Sequence, residues 1–530
     1  MERKKFKTWL PLLLSISMVA GMYLGYKMRD GMPAKSFFYM ERRKPMQEIL
    51  DLIESKYVDD VNVNELGDTA IVAMLSKLDP HTQYIPARAV EQANDDIAGS
   101  FYGIGIEFNL FDDTLHVVNV LKDGPGDKAG LQTGDKFLRA GDSIIAGRKM
   151  NADDIRKILK GNRGTVLNVV ILRGGKQMHV AISRDLVPVT SVDAAYMADS
   201  TIGYIRLNKF SQHTYREFMQ SLEKLKKAGM RQLVLDLRGN GGGVLDESVE
   251  IADEFLEGDK LITYTEGKHF PRKEYRARRV GQFEKGALVV LADEGTASAS
   301  EVLIGALQDW DRATVVGRRT FGKGLVQEQF DLSDNSALRL TISRYYTPLG
   351  RSIQRSYAAG GKAYYEEVAR RFTSADTASL DSIIQQTSKK FTTKNGKTVY
   401  EGGGITPDYF ITADTARFEK VSAKIYARGL VNTFGYKYVM DHPGLAKQYS
   451  TPAAFASSFS MDAQIWTYFA ALAAKDSIAL EGLKPAEITF LRKSLKLSIA
   501  RQLWRNEGYF IVFNKEDEAV NKAMQLLKKP

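Results

Sequence analysis

Cysteine is absent from the 530 residues. That excludes disulfides, thiolate nucleophiles, cysteine-held zinc and thiolate-held iron–sulfur clusters. Histidine is scarce, with six residues at 81, 116, 179, 213, 269 and 442, and no two stand at H-x-x-x-H or H-x-x-E-H spacing. A zinc hydrolase is therefore disfavoured, and neither a metal nor a cofactor is expected. No G-x-S-x-G is present, which disfavours a nucleophile-elbow hydrolase. K-T-G is missing as well, so Ser221-x-x-Lys224 and Ser333-Asp334-Asn335 do not complete a penicillin-binding set; the first lies on a lysine-rich polar helix and the second reads as a hairpin turn.

What is present is ordinary globular composition with an uneven charge. The net charge of +10 invites a nucleic-acid reading. However, residues 1–45 carry a net +7, which leaves +3 for the other 485. The basic stretch Lys268, Arg272, Lys273, Arg276, Arg278 and Arg279 is then read as a solvated rim, and no nucleic-acid partner is expected. Trp9–Tyr26 is an uncharged, largely apolar run flanked by Lys4, Lys5 and Lys7 before and Lys27 and Arg29 after. Its length is near the lower limit for a membrane-spanning helix. It is read as an uncleaved signal anchor, ahead of a cleaved signal peptide or a buried core helix, because Val19-Ala20-Gly21 is a poor cleavage site. The expected location is a bacterial inner membrane, crossed once, with the bulk of the chain on the periplasmic side.

Apolar residues at helical spacing mark residues 36–97 as helical, with Asp79-Pro80 as a stop. From Gly99 to Arg184 short β-like runs (Ile104–Leu110, Leu115–Val120, Val166–Leu172, Met178–Ile182) surround one helix, Ala152–Leu159. Residues 202–345 alternate strands and helices: Ile202–Leu207, Thr214–Lys227, Gln232–Leu237, Leu245–Leu256, Ala287–Leu291, Ala299–Trp310, Thr314–Val316. That order predicts an α/β layer with a largely parallel sheet. Residues 355–400 read as a polar insertion, and the chain is helical again beyond 413.

Three segments carry chemistry. Arg238-Gly239-Asn240-Gly241-Gly242-Gly243 follows an apolar strand, and its glycines let backbone N–H groups approach a ligand. Its third glycine is misplaced for a dinucleotide fingerprint. Ser298 lies at a strand-to-helix turn, where a serine hydroxyl can be exposed and the next N–H can hold an oxyanion. Ser298-x-x-Glu301 is equally a capping box, and the segment Ala292–Glu301 alone favours the cap. Lys323 lies between Gly322 and Gly324 at the head of an apolar strand, where desolvation would lower its pKa and make its amine a general base.

Phe101-Tyr102-Gly103-Ile104-Gly105-Ile106, followed by the Gly124–Asp135 helix and turn, resembles a PDZ domain of the bacterial-protease type. The ordered series Asp236–Gly243, Gly295–Glu301, Thr320–Gly324, Tyr345–Gln354 and Gly403–Asp408 resembles the carboxy-terminal processing peptidases, a serine–lysine family with an inserted PDZ domain. The match covers roughly residues 40–412, and Ser298, Lys323 and Gln327 keep the family spacing, whereas Ser300 breaks it.

The resemblance implies a multidomain α+β and α/β fold: a signal anchor over 1–30, a helical region over 36–97, a PDZ module over 98–185, a crotonase/ClpP-like α/β peptidase core over 186–412 and a helical region over 413–530. It implies that Ser298 attacks, Lys323 is the base, Gln327 orients Lys323, and Ala299 with Gly242 forms the oxyanion hole. It further implies that Gly103, Ile104, Gly105 and Ile106 bind peptide, with protein C-termini as substrates. The family's regulatory arginine is matched by Lys160, a point charge in place of a planar fork. The helical ends are candidates for self-association or an adaptor. The competing expectation is a catalytically inactive PDZ scaffold that binds peptides.

Overall fold

A computed structural model describes residues 2–31, 45–373, 388–413 and 419–529. The chain divides into two compact units, residues 1–74 and 75–530. The first holds the helix Glu2–Gly31, in which Trp9–Lys27 has a mean hydropathy of 1.4 and is long and apolar enough to cross a membrane. The helix Pro45–Lys56 follows, and Val63–Leu75 begins there. Residues 32–44 lie outside the described residues, and with them the start, 36–44, of the region read as helical.

The second unit is built on a six-stranded sheet ordered Val192–Met197, Ile202–Leu207, Gln232–Asp236, Leu288–Ala292, Thr314–Gly317 and Tyr409–Phe410. The first pair is antiparallel and every later neighbour is parallel. Side chains alternate between its faces, so each strand feeds two cores. Leu233, Leu235 and Val290 pack with the helices Thr214–Lys227, Leu245–Asp253 and Ala299–Asp309. Val234, Val289 and Leu291 pack instead with Val520, Ala523 and Leu527 of the helix Glu518–Leu527. The extreme C-terminus thus closes the back of this sheet, and Arg238 reaches Asp517 at 3.0 Å to fasten it.

A second sheet carries Ala337–Tyr346 at its centre, paired with Leu325–Asp331, Gln83–Ile85 and Leu261–Glu266. Ser333-Asp334-Asn335 does form the hairpin turn, with Asn335 at φ 65°. The third sheet, residues 106–183, is a compact β module with the helix Ala152–Leu159 at the predicted bounds. The antiparallel pair Ser100–Gly103 and Asp185–Pro188 brings the chain into and out of it. The strand Lys136–Ala140 is an addition to the sequence reading; Lys136 and Arg139 interrupt its apolar pattern, and Phe137 is fully buried.

The polar stretch at 355–400 is structured in part. It contributes the helix Gly361–Thr373 and a small hairpin, Lys390–Thr392 with Thr398–Tyr400, while residues 374–387 lie outside the described residues.

Candidate active site

Ser298 sits between the strand Leu288–Ala292 and the helix Ala299–Asp309. Its backbone is at φ 57°, ψ −119°, a region that costs a non-glycine residue about 1–3 kcal/mol. Such a turn persists only where its surroundings hold it, and here both sides of the residue are held. The Ser298 N–H donates to Glu301 Oε2 at 2.8 Å, and the Ser298 carbonyl accepts from the Tyr345 hydroxyl at 2.9 Å. The Glu301 N–H in turn donates to the Ser298 carbonyl at 2.8 Å, so the first turn of the helix is closed on Ser298 by its backbone as well.

The same two side chains hold Lys323. Glu301 Oε2 also accepts from the Lys323 N–H at 2.9 Å, Glu301 Oε1 accepts from the Gly322 N–H at 2.7 Å, and the Tyr345 hydroxyl is shared with the Lys323 carbonyl. Thr320 Oγ1 supplies a further hydrogen bond to Glu301. Burial pushes the Glu301 carboxyl up to about 6, against the pull of these donors. Glu301 and Tyr345 therefore tie together the backbones of two residues that are 25 positions apart.

The Lys323 ammonium has no carboxylate within ion-pair distance among the described residues. Its Nζ donates to Gln327 Oε1 at 2.8 Å, and Gln327 Nε2 donates to the His81 carbonyl. Burial lowers the Lys323 pKa, and the positive charge of Arg339 lowers it further. The His81 imidazole is lowered to about 4 by burial and by Lys323, so a neutral ring lies beside the amine. Asp79 holds the turn under it, accepting from the His81 and Thr82 N–H groups at 2.8 and 2.9 Å, and Tyr364 stands 2.9 Å from His81 Nε2.

Ala299 starts its helix, and its N–H faces the glycine loop: a Cβ on Gly242 would come within 2.8 Å of Ala299 N and of Ser298 Cβ. Gly242 itself, at φ 92°, is required for this approach. Its N–H does not point to a vacant site, because it donates to Asn240 Oδ1 at 2.9 Å. Ser300 is fully buried, with its hydroxyl donated to the Asn240 carbonyl at 3.0 Å. At the strand end before this loop, burial would raise Asp236, but Arg238 and Arg206 override it and hold the carboxyl well below its usual range.

Of the four PDZ residues, Ile104, Gly105 and Ile106 line one cavity, and Gly103 ends its strand opposite Asp185. Gly105, at φ 68°, makes the turn, and its carbonyl accepts from the Leu121 N–H at 2.9 Å. Lys160 follows the helix Ala152–Leu159 and pairs with Asp95 at 2.7 Å, 4.9 Å from the centre of the Phe101 ring. The sequence reading missed Glu301 as an acceptor, Tyr345, His81 and Asn240. Glu301 stood inside the capping box, Asn240 and Tyr345 stood inside the ordered motifs without a role, and His81 stood in no recognised signal.

A profile of peptidase family S41 matches residues 201–363, a PDZ-domain profile matches 103–183, and a family of unknown function matches 422–505. A carboxy-terminal-processing protease of Bartonella bacilliformis is 34% identical over 313 residues, covering 58% of this chain and 71% of the relative. The chain belongs to the carboxy-terminal processing proteases of peptidase family S41. A CtpA-like serine protease of Staphylococcus saprophyticus is 33% identical over 315 residues, 59% of this chain; the chain covers 63% of that relative's length, less than two thirds. A solved photosystem II D1 C-terminal processing protease is 30% identical and covers 58% of this chain and 89% of that one, with a TM-score of 0.33. Within the S41 match lie Ser298, Lys323 and Gln327; His81 and Asp517, which support the site, lie outside it.

Proposed function

We propose that this chain is a serine endopeptidase with a Ser298–Lys323 dyad on a crotonase/ClpP-like core. The observation that carries this reading is the Lys323 amine, buried without an anion and turned by Gln327, on a backbone tied to that of a strained serine. Lys323 Nζ in its neutral form removes the Ser298 proton as Oγ attacks the peptide carbonyl. The same proton then goes to the leaving amine, and a water deprotonated by Lys323 releases the acyl group from Ser298. The oxyanion of each tetrahedral intermediate is stabilised by the Ala299 N–H. Because the Gly242 N–H is engaged by Asn240, the second donor falls to a neighbouring amide of the Gly241–Gly243 loop.

The PDZ module delivers the substrate. An extended C-terminal segment adds to the edge of the strand Ile106–Phe111, with its carboxylate at the Gly103–Ile106 turn. The helix containing Trp9–Lys27 serves as the anchor that keeps the peptidase on the periplasmic side of the inner membrane, which makes envelope proteins the substrate pool. An inactive scaffold is disfavoured because each dyad group and its supports are present. The test is hydrolysis of an unfolded protein with an apolar C-terminus. The wild-type chain should cleave it, Ser300→Ala should retain measurable turnover, and Ser298→Ala should lose about 10⁴-fold or more. A fully active Ser298→Ala variant would overturn the assignment.

A further inference from the structure

The C-terminal helices reach the PDZ module and alter its groove. Tyr436, in the helix Leu430–Asp441, stacks on Phe111 with ring centres 5.1 Å apart. Gln502, in the helix Pro485–Asn514, donates to the Val118 carbonyl at 2.9 Å. Beside these contacts lies a cleft of about 470 Å³, with Ile104, Gly105 and Ile106 on the PDZ wall and Arg501, Gln502 and Arg505 on the opposite wall. That opposite wall belongs to the region matched by the family of unknown function.

The charge of the two walls differs. On the PDZ side, the Lys160 ammonium is already satisfied by Asp95 at 2.7 Å. Across the cavity, neither Arg501 nor Arg505 has a side-chain hydrogen bond or ion pair among the described residues. Burial lowers the Arg505 pKa and the Glu107 carboxylate opposes it. Glu107 lies two residues past Gly105, so Arg505 stands along the strand and away from the turn. The helix is broken where Arg505 leaves it: Trp504 has φ −132°, ψ 16°, and Arg505 has φ 62°, ψ −157°. The break is a kink between two helical segments, and it places Arg505 at the cavity wall with a positive φ that costs a non-glycine residue energy.

We infer that Arg501 and Arg505 form an acidic-side-chain subsite of this cavity, so that the C-terminal helical region shares substrate selection with the PDZ module. This rests on the reading that the PDZ takes protein C-termini. An extended segment along the strand Ile106–Phe111 presents its side chains alternately to the two faces of the sheet. With its α-carboxylate at the Gly103–Ile106 turn, an Asp or Glu upstream of the terminus meets the two guanidiniums. Arginine suits a carboxylate through paired, charge-assisted hydrogen bonds.

The test is fluorescence anisotropy on the full chain carrying Ser298→Ala, which prevents turnover. Labelled octapeptides ending in Ala-Ala carry one Glu walked through the upstream positions, each matched by Gln. Glu should bind about tenfold tighter than Gln at one or two positions. The combined Arg501→Glu, Arg505→Glu change should turn that preference toward a Lys peptide, an outcome a misfolded variant does not produce. Equal binding of Glu and Gln everywhere, or a Glu preference that survives the reversal, overturns the subsite. C-terminal amidation separates the two readings. Binding that is lost on amidation but indifferent to Glu sinks the subsite alone, whereas binding unaffected by amidation, or none to any peptide, sinks the C-terminus reading and the subsite with it.

Discussion

Lys323 and Lys160 are two semi-buried lysines in one chain, each at a cleft the sequence marks with glycines, and they are treated oppositely. Lys160 meets Asp95 at 2.7 Å in an ion pair and Gln92 at 3.1 Å. Among the described residues Lys323 Nζ meets only the neutral Gln327 amide, while burial and Arg339 both disfavour its proton. The difference separates structure from chemistry: a lysine given a carboxylate becomes an anchor, and a lysine denied one becomes a base. Two carboxylates lie near Lys323: Asp79 is spent on His81 and Thr82, and the oxygens of Glu301 are spent on the N–H groups of Ser298, Gly322 and Lys323 and on Thr320. Glu301 organises the site's backbone and leaves the amine unpaired.

Breaking the comparison at Lys323 gives the largest effect. Lys323→Arg keeps the charge and much of the length but cannot yield a neutral base, so turnover of an unfolded protein should fall by about 10²–10⁴-fold, as for Lys323→Ala. A smaller effect sharpens the cause. Arg339→Gln removes a positive charge that repels protonated Lys323, so the Lys323 pKa rises and less neutral amine is present at a given pH. The rising limb of the kcat/KM profile should move to higher pH with an unchanged plateau, measured on a short peptide substrate. The smallest effect lies at the anchor. Lys160→Ala removes a pair whose side chains are 21% and 22% exposed, so stability should drop by about 1 kcal/mol or less in urea unfolding. The same variant should leave kcat on that short peptide unchanged.

Much of this contrast was legible in local sequence. The bounds of Ala152–Leu159 and Thr214–Lys227 follow from apolar spacing. Ser298, Lys323 and Gln327 were singled out because they match the resembled family's ordered motifs and their spacing. The missing parts come from far away in the chain. The His81 carbonyl that receives Gln327 is 246 residues off, and no periodicity connects them. Glu301 was visible only as a capping residue, because a capping box and a backbone clamp share the same two residues. Gly242 was placed as an oxyanion donor, whereas its N–H serves Asn240 and its missing side chain serves Ala299. The helix Glu518–Leu527 looked like part of a separate helical end, since its amphipathic face says that it packs but not against what.

The dyad is tested most directly by the pH dependence of Ser298 modification with a fluorophosphonate, followed by peptide mapping. The account predicts a single adduct on Ser298, formed at a rate that rises with pH to a midpoint below 10.5, the ordinary lysine value, and a rate that collapses in Lys323→Arg. An adduct on Ser300, or labelling of Ser298 that is as fast in Lys323→Arg as in the wild-type chain, would contradict it.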